Sequence, residues 1–245
     1  MGPQRNEGAI AFSEDGRFVL TTDVVGNLVE HDGVTLERTG RSIELGPGEP
    51  VARMWTGPAG GFAVARLNSE SDDGTTLVFG DIDEGTFDRE VQLDGAALRG
   101  GFSADGSRFA WGGADGRVGV IDVGSGEVAG PADPVHTGQV EWVAFAPDGE
   151  TLATLGFDGF VALSSSDDAR PRARLLPGAV NLNGALLYGP DGHTVEVVYR
   201  DGSALRFDTD PATWIAHACA VAGRNLNEDE WRDAFGDEPR RPTCE

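Results

Sequence analysis

The chain has 245 residues, a formal net charge of −22 (41 acidic residues against 19 basic ones), 36 glycines and two cysteines. All 19 basic residues are arginine, which excludes phosphate-loop lysines, Schiff bases and serine–lysine dyads. The negative charge argues against a nucleic-acid partner, since phosphate is bound mainly by basic neutralisation.

No apolar run approaches the roughly 18 residues of a membrane span, so membrane insertion by this chain is not expected. The N-terminal MGPQRNEGAI lacks the apolar core of a secretory leader, which points to a cytoplasmic location.

In chain order, apolar segments end in one recurring turn: AFSEDG at 11–16, GFSADG at 101–106, AFAPDG at 144–149 and YGPDG at 188–192. The closing glycines are Gly16, Gly106, Gly149 and Gly192, with the last three spaced 43 apart. The 90 residues before Gly106 hold two periods, so a missing turn falls at GPAGG, 57–61. A second turn follows each about ten residues on, with Gly26, Gly74, Gly116, Gly159 and Gly202. Glycine beside Asp between apolar runs marks tight hairpins, because such turns need positive φ.

Between these turns lie short β-rich runs, in the fourth unit VEWVAF (140–145), TLATLG (151–156), FVALSS (160–165) and RARLL (172–176). Four strands per unit of this length is the spacing of a propeller blade. The predicted class is all-β: a five-bladed β-propeller, complete or incomplete, of four-stranded antiparallel blades over 1–209. The blades span about 9–46, 50–94, 96–134, 138–178 and 181–209. The innermost strands are expected at 10–12, 51–55, 97–102, 140–145 and 183–188.

The fifth unit lacks a fourth strand, and MGPQRNEG is a poor candidate to supply it. The expectation is therefore the C-terminal part of a larger propeller, the alternative being a small five-bladed ring. Residues 210–245 form a helical cap. Asp210-Pro211 starts a helix over 211–222 that Gly223 stops, with Trp214, Ala218, Val221 and Ala222 as one apolar stripe. Asn227 and Glu230 make a capping box for a second helix over 228–235, with Leu226 and Trp231 as its hydrophobic staple.

The stretch 136–165, HTGQVEWVAFAPDGETLATLGFDGFVALSS, resembles a WD-repeat blade. The resemblance implies that His136 is the structural His ahead of the first strand and Asp158 the turn Asp bonded to it. The family's Trp-Asp dipeptide is eroded to His31-Asp32, Gly80-Asp81, Ile121-Asp122, Ser164-Ser165 and Phe207-Asp208. The C-terminal WIAHACAVAGRNLNEDEWRDAFGDEPRRPTC (214–244) resembles a signature of actinobacterial multidomain signalling proteins. In these a STAND-type ATPase or another effector domain precedes a WD-repeat propeller. An ATPase, or further blades, would then lie upstream or on another chain. Cys219 and Cys244, 25 apart, allow a loop-closing disulfide; the alternative is two reduced thiols. Some relatives carry the propeller outside the membrane, where oxidation is possible.

The sequence has no HExxH, GxSxG or GxGxxG motif. The innermost strands bring one acid, Glu141, with Arg53 and Arg99; one acid is not a glycosidase pair. The loop acids 70–73 and 81–84 miss EF-hand spacing. No catalytic, cofactor or metal residues are therefore expected. Trp55, Trp111 and Trp142 read as packing between blades. The expected role is a non-catalytic protein-interaction scaffold or sensor module for a cationic protein partner, docked through loops such as 66–75 and 124–139. The alternative is a small-molecule or carbohydrate-binding propeller.

Overall fold

The computed structural model describes residues 9–13, 15–23, 26–46, 51–67, 74–129, 134–175 and 184–244. The segment 1–8 weighed as a closing strand, the centres of both candidate docking loops (68–73 and 130–133) and the first residue of the fifth inner strand lie outside them.

The chain is mostly β, in five antiparallel sheets whose strands pair in sequence order. Sheet 1 holds β1 (Ile10–Phe12), β2 (Phe18–Thr22), β3 (Leu28–Asp32) and β4 (Arg38–Ile43). Sheet 2 holds β5 (Val51–Thr56), β6 (Gly61–Leu67), β7 (Thr75–Asp81) and β8 (Thr86–Leu93). Sheet 3 holds β9 (Ala97–Phe102), β10 (Arg108–Gly113), β11 (Val118–Asp122) and β12 (Val128–Ala129). Sheet 4 holds β13 (Val140–Phe145), β14 (Thr151–Gly156), β15 (Val161–Ser165) and β16 (Pro171–Leu175). Sheet 5 has three strands, β17 (Gly184–Tyr188), β18 (Thr194–Tyr199) and β19 (Ala204–Asp208). The hairpin turns sit where the repeat puts them. Eight of the nine turn glycines have φ between 70 and 93°, where a Cβ is strained; Gly74 adjoins the undescribed 68–73. At 57–61 a 3-10 turn, Pro58–Gly60, replaces the Asp-Gly hairpin.

Four buried clusters hold the sheets in series. Leu20 and Leu28 of sheet 1 meet Met54, Phe62, Val64 and Val78 of sheet 2. Ala63, Ala65, Leu77 and Phe79 of sheet 2 meet Phe109, Trp111 and Ile121 of sheet 3. Ala110, Val118 and Val120 meet Val143, Leu152 and Ala162. Ala153, Leu155, Val161 and Leu163 meet Leu186, Val195 and Val197. Sheets 2, 3 and 4 are thus covered on both faces. Their strands pair one small face with one large one, as Ala153 alternates with Leu152, so modest hydrophobicity still makes a continuous core. Among the described residues no fifth cluster joins sheet 5 to sheet 1. No helix of the described residues is long and apolar enough to cross a membrane.

The cap follows β19. Helix α1 (Pro211–Ala222) starts on Asp210, which accepts from the Ala212 N–H at 2.8 Å, and ends on Gly223 at φ 68°. Helix α2 (Glu228–Phe235) carries the reciprocal capping box: Asn227 Oδ1 accepts from Glu230 N at 2.9 Å, and Glu230 Oε2 from Asn227 N at 2.9 Å. Trp231 is buried, stacks on Phe235 at 4.4 Å and donates from Nε1 to the Glu238 carbonyl at 2.8 Å. The apolar stripe of α1 is not buried: the helix has no buried residue, and Trp214, Ile215 and Val221 are exposed. Helix periodicity marks a side fit for packing and does not show what covers it.

Candidate interaction surfaces

Antiparallel sheets send their turns alternately to two rims. Turns after the first and third strands share one rim, bonded through Gly33 N to Arg17 O (2.8 Å), Val123 N to Ser107 O (2.9 Å) and Thr209 N to His193 O (2.8 Å). Turns after the second strands share the other with the inter-sheet connections, as Val135 N bonds Gly116 O at 2.9 Å.

Both rims carry capping aspartates, the first in two turns of a sheet and the second in one, at Asp23, Asp115, Asp158 and Asp201. After each first strand, except at the 3-10 turn, an Asp accepts from the N–H two residues on: Asp15 from Arg17 (3.0 Å), Asp105 from Ser107 (3.1 Å), Asp148 from Glu150 (2.9 Å) and Asp191 from His193 (3.0 Å). The second residue of the eroded dipeptide does the same work after each third strand. Asp32 accepts from Thr35 N (2.7 Å), Asp81 from Asp83 N (2.7 Å), Asp122 from Ser125 N (2.7 Å) and Asp208 from Asp210 N (2.9 Å). Ser165 receives the Asp167 N–H at 3.3 Å. The position keeps a capping residue because the turn leaves amides unpaired, whatever precedes it. Where Trp would stand, Gly80 has no room for any side chain: a Cβ there would lie 2.3 Å from the Thr86 carbonyl oxygen.

The caps lower the pKa of five of these aspartates. The Arg17 N–H and guanidinium bring Asp15 down to about 2, and the hydroxyl of Ser103 with the Ser107 N–H does the same to Asp105. Asp32 is lowered by the Thr35 and Val34 N–H groups, Asp122 by Ser125, and Asp191 by the Thr194 hydroxyl. These five acids sit on the first rim; Asp158, also lowered, sits on the second.

On the second rim His136 is fully enclosed. Its Nδ1 lies 3.1 Å from Asp158 Oδ1 and its Nε2 2.8 Å from Thr154 Oγ1. Asp158 also accepts from the N–H groups of Thr137 (2.9 Å) and Phe160 (3.2 Å). Burial lowers the His136 pKa, against the opposing pull of Asp158. Burial by itself raises that of Asp158, but its backbone donors and His136 hold it below the usual carboxylate value. The imidazole packs so closely that a Cβ on Gly156 would stand 2.3 Å from Nδ1. The network ties the entry of β13 to the β14–β15 turn; Thr154 carries no motif and was missed in the sequence.

Along the inner strands, Arg53, Arg99 and Trp142 pair with Ala65, Gly112 and Leu155 at equivalent positions. A β-bulge beside each leaves Ala52, Leu98 and Glu141 as extra residues. Arg53 donates to the Ala52 carbonyl (2.7 Å) and Arg99 to those of Leu98 (3.1 Å) and Glu141 (2.8 Å). Glu141 accepts from Gln139 at 3.0 Å. Trp55 and Trp111 pack between sheets 2 and 3, whereas Trp142 is 37% exposed, a correction to its assignment as packing. His31 is half-buried at its strand end, bonded to Thr21 Oγ1 (3.0 Å) and the Leu36 carbonyl (3.2 Å). Among the described residues no group of three His, Cys, Asp or Glu could hold a metal ion.

In the cap, Cys219 and Cys244 form a disulfide with Cα atoms 5.4 Å apart. Asn225 Oδ1 fastens the same tail by accepting from Thr243 N (2.7 Å) and Cys244 N (2.6 Å). Trp214 Nε1 donates to the Asp208 carbonyl at 2.7 Å, linking α1 to the end of β19. Between the helices and the tail lies a cavity of about 560 Å³, lined by Ile215, Ala218, Leu226, Trp231 and Phe235 among others. No family model matches the chain, and no curated protein does.

Proposed function

We propose that the protein is a non-catalytic interaction scaffold that docks a cationic protein surface on its acidic first rim. The observation that carries this is the higher density of capped aspartates on the first rim, where two turns of a sheet carry them (Asp15 and Asp32, Asp105 and Asp122, Asp191 and Asp208) against one on the second rim (Asp23, Asp115, Asp158 and Asp201). A fixed array of charge raises the encounter rate of an oppositely charged partner and needs no rearrangement to present it. The blade period and the WD-repeat resemblance around His136 support a scaffold, in which loops carry contact and sheets carry geometry. Membership of a larger signalling protein, as the C-terminal wording suggests, belongs to the same proposal.

The test uses a fluorescent arginine-rich peptide as probe. It should bind at about 50 mM salt and be released near 0.5 M, where the screening length falls to a few ångströms. Exchanging Asp105, Asp148 and Asp191 for Asn should weaken it at least tenfold. Equal binding by this variant, or salt-insensitive binding, would reject the rim.

A second reading, a carbohydrate-binding surface on the inner strands, is favoured by exposed Trp142 next to Glu141, which pairs with Gln139 and Arg99. It predicts quenching of Trp142 fluorescence by an oligosaccharide, lost in Trp142→Ala.

A further inference from the structure

Every junction in the row is built the same way. The sheet that comes first offers one face of its second and third strands, and the next sheet offers the opposite face of its own. Sheet 4 gives Ala153, Leu155, Val161 and Leu163; sheet 5 receives them on Leu186, Val195 and Val197. By register, the offering face of sheet 5 is Glu196, Val198, Ala204 and Arg206, with Leu187 on β17. The receiving face of sheet 1 is Val19, Thr21, Val29 and His31, with Ile10 and Phe12 on β1. Both lie outside the four clusters. On the first strands Leu187 is 54%, Ile10 60% and Phe12 61% exposed, and Val198 of β18 is 43% exposed. Val19 and Val29, on the second and third strands, are already buried within the chain, so the part of the receiving face open to a partner is its first-strand edge, Ile10 and Phe12.

We infer that these two faces are the unmatched halves of the repeated junction, and that they mate between two copies of this chain, sheet 5 of one protomer against sheet 1 of its partner. Continuity with the four existing interfaces argues for this occupant: the surface each end is shaped to meet is present at the other end of the same molecule. Polar residues lie on both faces. Glu196 and Arg206 form an ion pair, Nε to Oε1 2.7 Å, where sheet 4 carries Ala153 and Leu163. Thr21 and His31 are hydrogen-bonded to each other on the facing side. Such a junction is workable but less apolar than those inside the row. Because the contact is head-to-tail, it closes into a ring or grows open-ended, and never gives a self-complementary dimer patch. The inference rests on sheet packing and is separate from the acidic-rim reading.

Light scattering across about 1–100 µM should give masses at multiples of 25.7 kDa that rise with concentration. Leu187→Asp with Val198→Asp removes the offering face, and Ile10→Asp with Phe12→Asp the receiving one; each variant should be monomeric. Mixed, the two variants retain one good half each and should form dimers and nothing larger. Circular dichroism checks that each is folded, and Leu187→Gln and Phe12→Gln replace them if the aspartates unfold the chain. A monomer at every concentration, or a mixture that fails to pair, overturns the inference, as does association unaffected by both variants.

Discussion

At the scale of single residues, the buried network around His136 makes the clearest demands. Asp158 accepts from His136, from the Phe160 amide and from the amide and hydroxyl of exposed Thr137, so Asp158→Ala leaves the enclosed His136 and the Phe160 N–H without their partner. Unpaired buried groups cost about 1–3 kcal/mol, and a loss of about 3 kcal/mol is expected in urea unfolding. The pH dependence has a definite sign. The His136 pKa is depressed below 6.5 by burial, so the unfolded chain takes up a proton that the folded chain refuses. Stability should therefore fall as pH drops below about 6.5 and level off below the folded pKa, and His136→Gln should flatten the slope between pH 7 and 5. Ser164, the residue at the eroded Trp position, makes the opposite case. Its Oγ is buried without a partner, so Ser164→Ala should be neutral or stabilise by up to about 1 kcal/mol in the same assay. His136 and Asp158 were legible because a resemblance pairs them. Thr154 and Ser164 were not, since neither type at that spacing signals its burial.

At the scale of elements, both cap helices were legible to the residue because their ends are local chemistry: Asp210 and Asn227 begin them, Gly223 and Gly236 end them. Which side of α1 is buried was not legible, since that depends on a surface supplied from elsewhere. The cap is held instead by its own tail, through the disulfide and Asn225. Closing a loop of this length is worth about 3 kcal/mol. Cys219→Ser, or reduction by dithiothreitol, should therefore lower helical ellipticity at 222 nm. The β sheets should melt within a few degrees of the parent chain, because α1 has no fully buried residue and meets β19 mainly through Trp214 and its bond to the Asp208 carbonyl. Loss of both signals in one transition would show instead that cap and sheets unfold as a unit.

At the scale of the whole molecule, the repeat hides a difference that only context reveals. AFSEDG and GFSADG place Phe12 and Phe102 at the same point of β1 and β9, ahead of the same Ser-capped turn. Period and turn chemistry gave five sheets and their strand order; they could not say which sheets have neighbours on both sides. Phe102 lies in the junction of sheets 2 and 3, its ring 5.0 Å from Phe109 and 6.2 Å from Phe79. Phe12 stands on the free face of sheet 1. Removing a ring from a packed junction forfeits its transfer energy and opens a cavity, about 3–5 kcal/mol when burial is complete. For half-buried Phe102 a loss of about 2–3 kcal/mol is expected. An exposed ring contributes little, so Phe12→Ala should lie within about 0.5 kcal/mol of the parent. Both variants are to be unfolded in urea at about 1 µM, below the range where association begins. Repeating Phe12→Ala near 100 µM then asks the same residue a second question: if a partner covers it, its cost should rise toward that of Phe102→Ala. Equal losses for the two variants at 1 µM would mean that Phe12 is already packed within the monomer and that the row has no free first face.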